Sequence, residues 1–271
     1  MSNKSWPNTN MPENAKPKVV ALIQCRMGST RLPQKVMMDL QGKPVIGKIY
    51  DRLKFCKNVN QIIICTADTP QNKPIVKYAQ ENDLDCYAGS ENDLVDRVYQ
   101  MVKRFGADAV VRVTADCPLV DPQLVDQLVE AYLQDPTLEY ITNILPPTYP
   151  DGLDLDVIST RALEKLWERS RGDAFKSEWI NHDLRTNPDV YETKRFNLDR
   201  DLSHMRWTVD YPEDLVFVRE VFKQISPNGE VFYMDGVLKL MEEHPELGEL
   251  NAKYVRDAAY YAAIESQKMN K

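Results

Sequence analysis

Apolar residues recur along this chain in two alternating rhythms. Short, unbroken runs rich in β-branched residues stand at 18–24 (KVVALIQ), 61–66 (QIIICT) and 109–113 (AVVRV). Runs of this length, bounded by loop residues, read as strands buried on both faces. Between them the period lengthens. Val45, Ile46, Ile49, Tyr50 and Leu53 fall at helical spacing within 44–56, and helices are also expected at 72–82, 94–105 and 122–133. A short segment, 85–89, precedes Ser90-Glu91-Asn92-Asp93, a helix-capping sequence with acid in the first turn, and Pro122 takes the first position of its helix. Strands alternating with helices predict parallel βαβ units in a doubly wound α/β sheet. Such sheets bind ligands beyond the carboxyl ends of their strands, which directs attention to the loops after Gln24, Thr66 and Val113.

Beyond Tyr140 the rhythm changes. Strands are expected at 139–144, 153–158 and 191–198, a Pro-rich turn at 146–152, and helices at 159–169 and 176–186. An apolar segment, 205–209, ends at Asp210, and 213–225, 234–243 and 250–268 read as helices. Residues 1–17, polar and rich in Pro and Asn, read as a disordered tail, which leaves 18–271 as a single domain.

Composition narrows the function classes. With 43% hydrophobic and 28% charged residues, the 271-residue chain can build a sizeable core. A net charge of −7 excludes a general nucleic-acid binder, but not a small phosphate-bearing substrate held by a few local cations. No apolar run approaches a membrane span of about 20 residues, so neither membrane nor nucleic acid is an expected partner. Five cysteines without a CxxC pair read as reduced thiols of a cytoplasmic protein. The three histidines have no zinc-ligand spacing.

The chemistry concentrates after the first strand. Arg26, Arg31 and Lys35 lie within ten residues, with Gly28 and Ser29 between them. A triphosphate needs such a compact set of cations and backbone donors, and Gly permits close approach. The pattern is neither a P-loop nor a dinucleotide fingerprint. Asp116 follows the third strand and Asp210 follows the 205–209 segment. Two carboxylates from distant loops suit one Mg²⁺, which takes one or two carboxylates plus substrate phosphates.

The stretch from Arg26 to Pro33 with Lys35 resembles the nucleotide loop of the cytidylyltransferases that activate acidic sugars, the KDO and acylneuraminate cytidylyltransferases. It is closest to the spore-coat polysaccharide biosynthesis protein F branch. Further matches are Gly89-Ser90-Glu91-Asn92-Asp93 with Arg97, then 114–119 (TADCPL), 151–154 (DGLD) and 206–210 (RWTVD). Taken in order they cover about 19–251. The resemblance implies a Rossmann-like, GT-A-like, mostly parallel nucleotidyltransferase sheet, with an acceptor and dimerisation region at 140–202 and C-terminal helices. It implies that CMP moves from CTP to a small anionic acceptor in a homodimer, with Mg²⁺ as cofactor. Gln24, Arg26, Gly28, Ser29, Arg31, Lys35, Gly89, Ser90 and Arg97 would bind the nucleotide. Lys35, Arg31, Asp116 and Asp210 would be catalytic, the two aspartates holding the metal. Asn143, Asp154, Asp156, His204 and Arg206 would face the acceptor.

Two positions depart from the pattern. Gln34 stands where the family usually has Gly before the loop lysine, and Asp156 where many relatives carry Glu. The acceptor stays open between an acidic sugar and a phosphate or phosphonate, and no strong general base is visible. Two rivals also stay open. Asp154-Leu155-Asp156 is a DxD, as in glycosyltransferases that use a nucleotide sugar, although Asp83-Leu84-Asp85 and Asp199-Arg200-Asp201 match it too. A non-catalytic nucleotide-binding relative, with Gln34 as its mark, is the other.

Overall fold

The computed structural model describes residues 16–269. Of the expected tail, only residues 16 and 17 fall inside this range, and they carry no regular secondary structure. The strands are β1 (Val19–Gln24), β2 (Asp39–Leu40), β3 (Lys43–Pro44), β4 (Gln61–Ala67), β5 (Cys86–Gly89), β6 (Ala109–Thr114), β7 (Tyr140–Thr142), β8 (Asp156–Ser159) and β9 (Thr193–Arg195). The helices of the first half are α1 (Val45–Leu53), α2 (Lys73–Glu81), α3 (Leu94–Phe105) and α4 (Pro122–Gln134). Then come α5 (Thr160–Ser170), α6 (Ala174–Glu178), α7 (Ile180–Thr186), α8 (Pro212–Ile225), α9 (Met234–Glu243), α10 (Glu246–Glu249) and α11 (Ala258–Met269).

Among the described residues, seven strands form one sheet in the order β5-β4-β1-β6-β8-β7-β9, and β2 and β3 pair separately. The β5-β4-β1-β6 half is parallel throughout. β8 runs antiparallel to both β6 and β7, and β9 pairs parallel with β7. The mostly parallel α/β sheet is therefore as the apolar runs predict. Along β1 the side chains alternate between two cores: Val19, Ala21 and Ile23 join one, Val20 and Leu22 the other. Both faces are covered, which is why the run is continuously apolar. Helix starts follow their caps. The carboxylate of Asp93 accepts the N–H of Asp96, and that of Asp121 accepts those of Gln123 and Leu124.

Four elements of the second half differ from expectation. The strand expected at 153–158 begins only at Asp156, because the Asn143 carboxamide takes over its first backbone groups. That amide donates to the Leu153 carbonyl (2.7 Å) and accepts the Leu155 N–H (2.8 Å). The helix expected at 176–186 is two short helices, broken at Trp179 (φ −102°, ψ 76°). The strand expected at 191–198 shortens to β9 at the sheet edge. The helix expected at 250–268 starts at Ala258, after Asp257 turns into the left-handed region (φ 54°).

Candidate active site

β1 pairs with both β4 and β6, so the strand order reverses on either side of it. A crevice opens at such a switch point between the loops that leave the two adjacent strands. Here it is a cavity of about 950 Å³, walled by the loops after β1 and β6, by residues 208–211, by α6 and α7, and by the first turn of α11.

The loop after β1 is pinned from below. The Met27 N–H donates to the Asn72 carboxamide (2.9 Å), and Met27 and Leu32 are buried in the core. The Gln34 N–H donates back to the Met27 carbonyl (3.2 Å). Gln34 itself is left-handed, at φ 61° and ψ 16°. That is the conformation the usual glycine adopts without cost, and it turns the chain so that Lys35 points back under the loop. The buried Lys35 Nζ lies 2.9 Å from Asp116 Oδ2 and 2.8 Å from Asp210 Oδ1. Arg31 pairs with Asp210 at 2.7 Å and lies over the Tyr211 ring at 5.3 Å.

Asp116 and Asp210 meet because one segment threads between two loops. The Val209 N–H donates to the Asp116 carbonyl (2.7 Å), as does the Thr208 hydroxyl (3.1 Å). On its other side the segment bonds to the 151–154 turn. The Asp151 N–H donates to the Met205 carbonyl (2.9 Å) and the Trp207 N–H to the Asp151 carbonyl (2.6 Å). Gly152 permits this contact. It sits at φ 112°, and a Cβ there would lie 2.6 Å from the Trp207 carbonyl carbon. Asp214 locks the end of the segment, its carboxylate accepting from Arg206 Nε and Nη2 (2.9 Å each) and from the N–H groups of Asp210 and Tyr211.

Burial alone lowers the Lys35 pKa, but the two aspartates raise it above the ordinary value. Burial likewise raises that of Asp116, yet the Lys35 charge and the Thr114 hydroxyl hold it well below the usual carboxylate range. Both groups are therefore ionised. Two carboxylates from different loops share one cation, which is the arrangement an ion bound through one or two carboxylates needs. Among the described residues no cluster of three or more potential ligands occurs, so ligand phosphates would have to complete the shell of a divalent ion here.

Opposite lies a second set of charges. Asp154 pairs with Arg256, Asp151 with Arg206 (2.9 Å) and Asp156 with Arg112 (3.0 Å). Burial, then mutual repulsion for Asp151, pushes two of these carboxyls up, Asp151 to about 7 and Asp154 to about 6. Asp156 also accepts the hydroxyls of Tyr140 (2.5 Å) and Thr142 (2.9 Å). Arg112 Nε in turn donates to Gln24 Oε1 (2.7 Å). This fixes the polarity of the Gln24 amide and leaves its Nε2 as a donor.

The structure brings Gln24, Arg26, Gly28, Ser29, Arg31, Lys35, Arg97, Asp116, Asp154, Asp156 and Asp210 to the cavity wall. Five other expected residues do not line it. Gly89 instead makes room for the Arg97 side chain, whose Cγ would lie 3.1 Å from a Cβ at that position, and the Ser90 carbonyl accepts from Arg97 Nη1 (2.8 Å). Asn143 is fully buried and spent on the backbone at 153 and 155. Arg206 is buried against Asp214 and reaches the cavity only through the carboxylates of Asp151 (2.9 Å) and Asp210 (3.5 Å). His204 is exposed on the 199–205 loop. Residues to which pattern reading gives no role include Arg112, Trp179 and Tyr260, all in the wall beside Asp151 of the 151–154 motif and Arg185. Only Arg112 leaves a signal, as a charge inside an otherwise apolar strand.

The family model described as cytidylyltransferase matches residues 20–245. The chain belongs to the cytidylyltransferase family. This cytidylyltransferase is thereby a nucleotidyltransferase enzyme. It is 28% identical to a cytidylyltransferase from Leptospira borgpetersenii, with a TM-score of 0.81 over 88% of this chain and 100% of that one. It is 24% identical to the spore coat polysaccharide biosynthesis protein SpsF of Bacillus subtilis over 84% of this chain and 95% of that protein. A CMP-2-keto-3-deoxy-manno-octonic acid synthetase solved with CTP shares the fold, with 20% identity and a TM-score of 0.59 over 76% of this chain and 99% of that one. No helix among the described residues of this cytidylyltransferase is long and apolar enough to cross a membrane.

Proposed function

We propose that this cytidylyltransferase moves CMP from CTP to a small anionic acceptor, an acidic sugar or a phosphate-bearing compound, and releases pyrophosphate. One observation carries the reading: Lys35, clasped by Asp116 and Asp210 where the basic β1 loop meets the end of β6. Arg26, Gly28, Ser29, Arg31 and Lys35 then take the triphosphate, while Arg97 and Gln24 border it. The acceptor oxygen forms a bond to the α-phosphorus as the bond to the pyrophosphate oxygen breaks, and pyrophosphate leaves with the electron pair. Positioning and charge neutralisation supply most of the acceleration. Asp116 and Asp210 would hold Mg²⁺, which when bound neutralises phosphate charge. An acceptor phosphate or phosphonate oxygen is already ionised and needs no base. For a hydroxyl acceptor, Asp151 and Asp154 in the cavity wall are carboxylates available to take its proton.

The nucleotide-sugar reading loses ground to the ion pairs. Both carboxylates of Asp154-Leu155-Asp156 are engaged by arginines, and the Leu155 between them is buried. The exposed Val255, Tyr261 and Met269 around α11 support a homodimer as part of the reading. A cytoplasmic setting fits its five free thiols. The test is the melting temperature with CTP, UTP, ATP and GTP, each with and without Mg²⁺, followed by pyrophosphate release. Ligand at 100 times its Kd adds about 2.7 kcal/mol. A shift with CTP and Mg²⁺ alone is expected, and equal shifts with all four triphosphates would defeat the choice of CTP.

A further inference from the structure

Arg185, on α7, is a cation that the reading above leaves unused. Its side chain stands in the cavity wall, only 11% exposed. Its Nε is buried and has no hydrogen-bond partner. Its ion pair with Asp257 spans 3.8 Å, beyond hydrogen-bond reach, and the guanidinium carbon lies 5.3 Å from the Tyr260 ring centroid. The other guanidinium groups at this end hold hydrogen-bonded partners, although the Nε of Arg256, like that of Arg97 in the cavity wall, is also buried without one. Arg112 donates to Gln24 and Asp156, Arg206 to Asp151 and Asp214, and Arg256 to Asp154 and the Tyr149 carbonyl. Burial lowers the Arg185 pKa, but Asp156, Tyr140 and Asp257 more than restore it, so the group stays charged.

A buried guanidinium with an unmade donor is costly, and unmade donors in native proteins call for an explanation. A planar guanidinium in a cavity wall fits a carboxylate or phosphate in a two-point grip. Residues 255 and 257–260 close this end of the cavity, and they lie beyond the family-matched region, 20–245. The carboxylate facing Arg185 is thus supplied by a part of the chain outside the shared core. We propose that Arg185 anchors the acceptor: its guanidinium grips an oxyanion of the acceptor, in competition with Asp257. This rests on the cytidyl-transfer reading and assigns the acceptor's charged group to one residue.

The experiment follows melting temperature and binding in two steps, CTP with Mg²⁺ first and then a probe anion. The probes are 3-deoxy-manno-octulosonate for a carboxylate, ribose 5-phosphate for a phosphate, and glucose as the neutral control. In the parent protein an anionic probe adds a second shift and glucose none; which anion acts identifies the group. Arg185→Gln keeps the CTP shift and binds the anion about 10- to 100-fold more weakly. Arg185→Lys, which keeps charge without the fork, falls between and carries the same test should the Gln variant fail to fold. Asp257→Asn, tolerated in the left-handed region, binds the anion as tightly as the parent or a few-fold tighter. An Arg185→Gln variant that responds to the anion like the parent overturns the proposal, as does a CTP-bound parent that ignores both anions. Absence of any CTP shift defeats the nucleotide reading, and this one with it.

Discussion

The two ends of the cavity are built on one sheet but assembled in opposite ways. The nucleotide end draws four of its polar groups from ten consecutive residues, Arg26 to Lys35, fixed by the exit of one strand and one left-handed residue. The end proposed for the acceptor gathers Arg112, Asp151, Asp154, Asp156, Arg185 and Asp257 from five separate elements, and its charges are largely in ion pairs. A contiguous loop gathers three cations for a highly charged ligand, each paired with a carboxylate from elsewhere in the chain, whereas the second end is a cross-chain lattice of ion pairs. The first design leaves a sequence motif; the second leaves scattered charged residues whose meaning depends on the fold.

The largest effect should come from the joint between the two ends. Asp116→Asn removes one of the two carboxylates around Lys35 and is expected to lower kcat/KM by about 100-fold or more, measured by pyrophosphate release. Activity near that of the parent would detach Asp116 from the chemistry. Next comes the scaffold of the acceptor end. Gly152→Ala forces a methyl into the backbone of residues 207–208 at positive φ. It should destabilise by about 2–4 kcal/mol, a fall of roughly 5–10 °C in Tm. An unchanged Tm would show that the 151–154 turn is not tied to the segment carrying Asp210.

A third comparison is one of pH. The Asp151 carboxyl is raised from 3.8 to about 7 in the folded protein. Its contribution to stability is therefore full below about pH 4 and is lost as pH rises through about 7. Asp151→Asn, always neutral, should gain stability relative to the parent between about pH 5 and 8, on the order of 1 kcal/mol. A difference independent of pH would place the cost elsewhere. The smallest effect belongs to the nucleotide loop: Gln34→Gly relieves a left-handed non-glycine residue and should stabilise by about 1 kcal/mol, read by thermal melting. A loss instead would mean that the Gln34 side chain supports the loop.

These contrasts also explain what can be read without coordinates. The parallel half of the sheet is legible because a strand buried on both faces must be largely apolar, as 62–65 is throughout and 109–113 is but for Arg112. Arg31, Lys35, Asp116 and Asp210 are legible because they stand at the ends of such runs. Motif position assigns Arg206 and Asn143 to the acceptor, yet both satisfy buried groups, Asp214 and the backbone at 153–155. Nothing in a sequence separates an arginine that binds a ligand from one that neutralises a buried carboxylate 8 residues on. Arg185 shows the converse: its enclosure comes from α11, some 70 residues later, and from the break at Trp179, neither of which its own neighbours in sequence announce. The left-handed backbone of Gln34 likewise becomes visible only in the fold.

The clasp of Lys35 has a kinetic side. It ties chain positions 81 and 175 residues apart, and on the reading above those ties must give way when a nucleotide draws the lysine off. Asp116 and Asp210 then act as resident competitors for the same ammonium. They keep the cation aligned between turnovers, so the cost of gathering it is met once, in folding. They also stand ready to reclaim it when bonding to the leaving anion weakens. An enzyme whose product is a polyanion gains from such rivalry, because a lysine with nowhere else to go would hold pyrophosphate long after the chemistry was over.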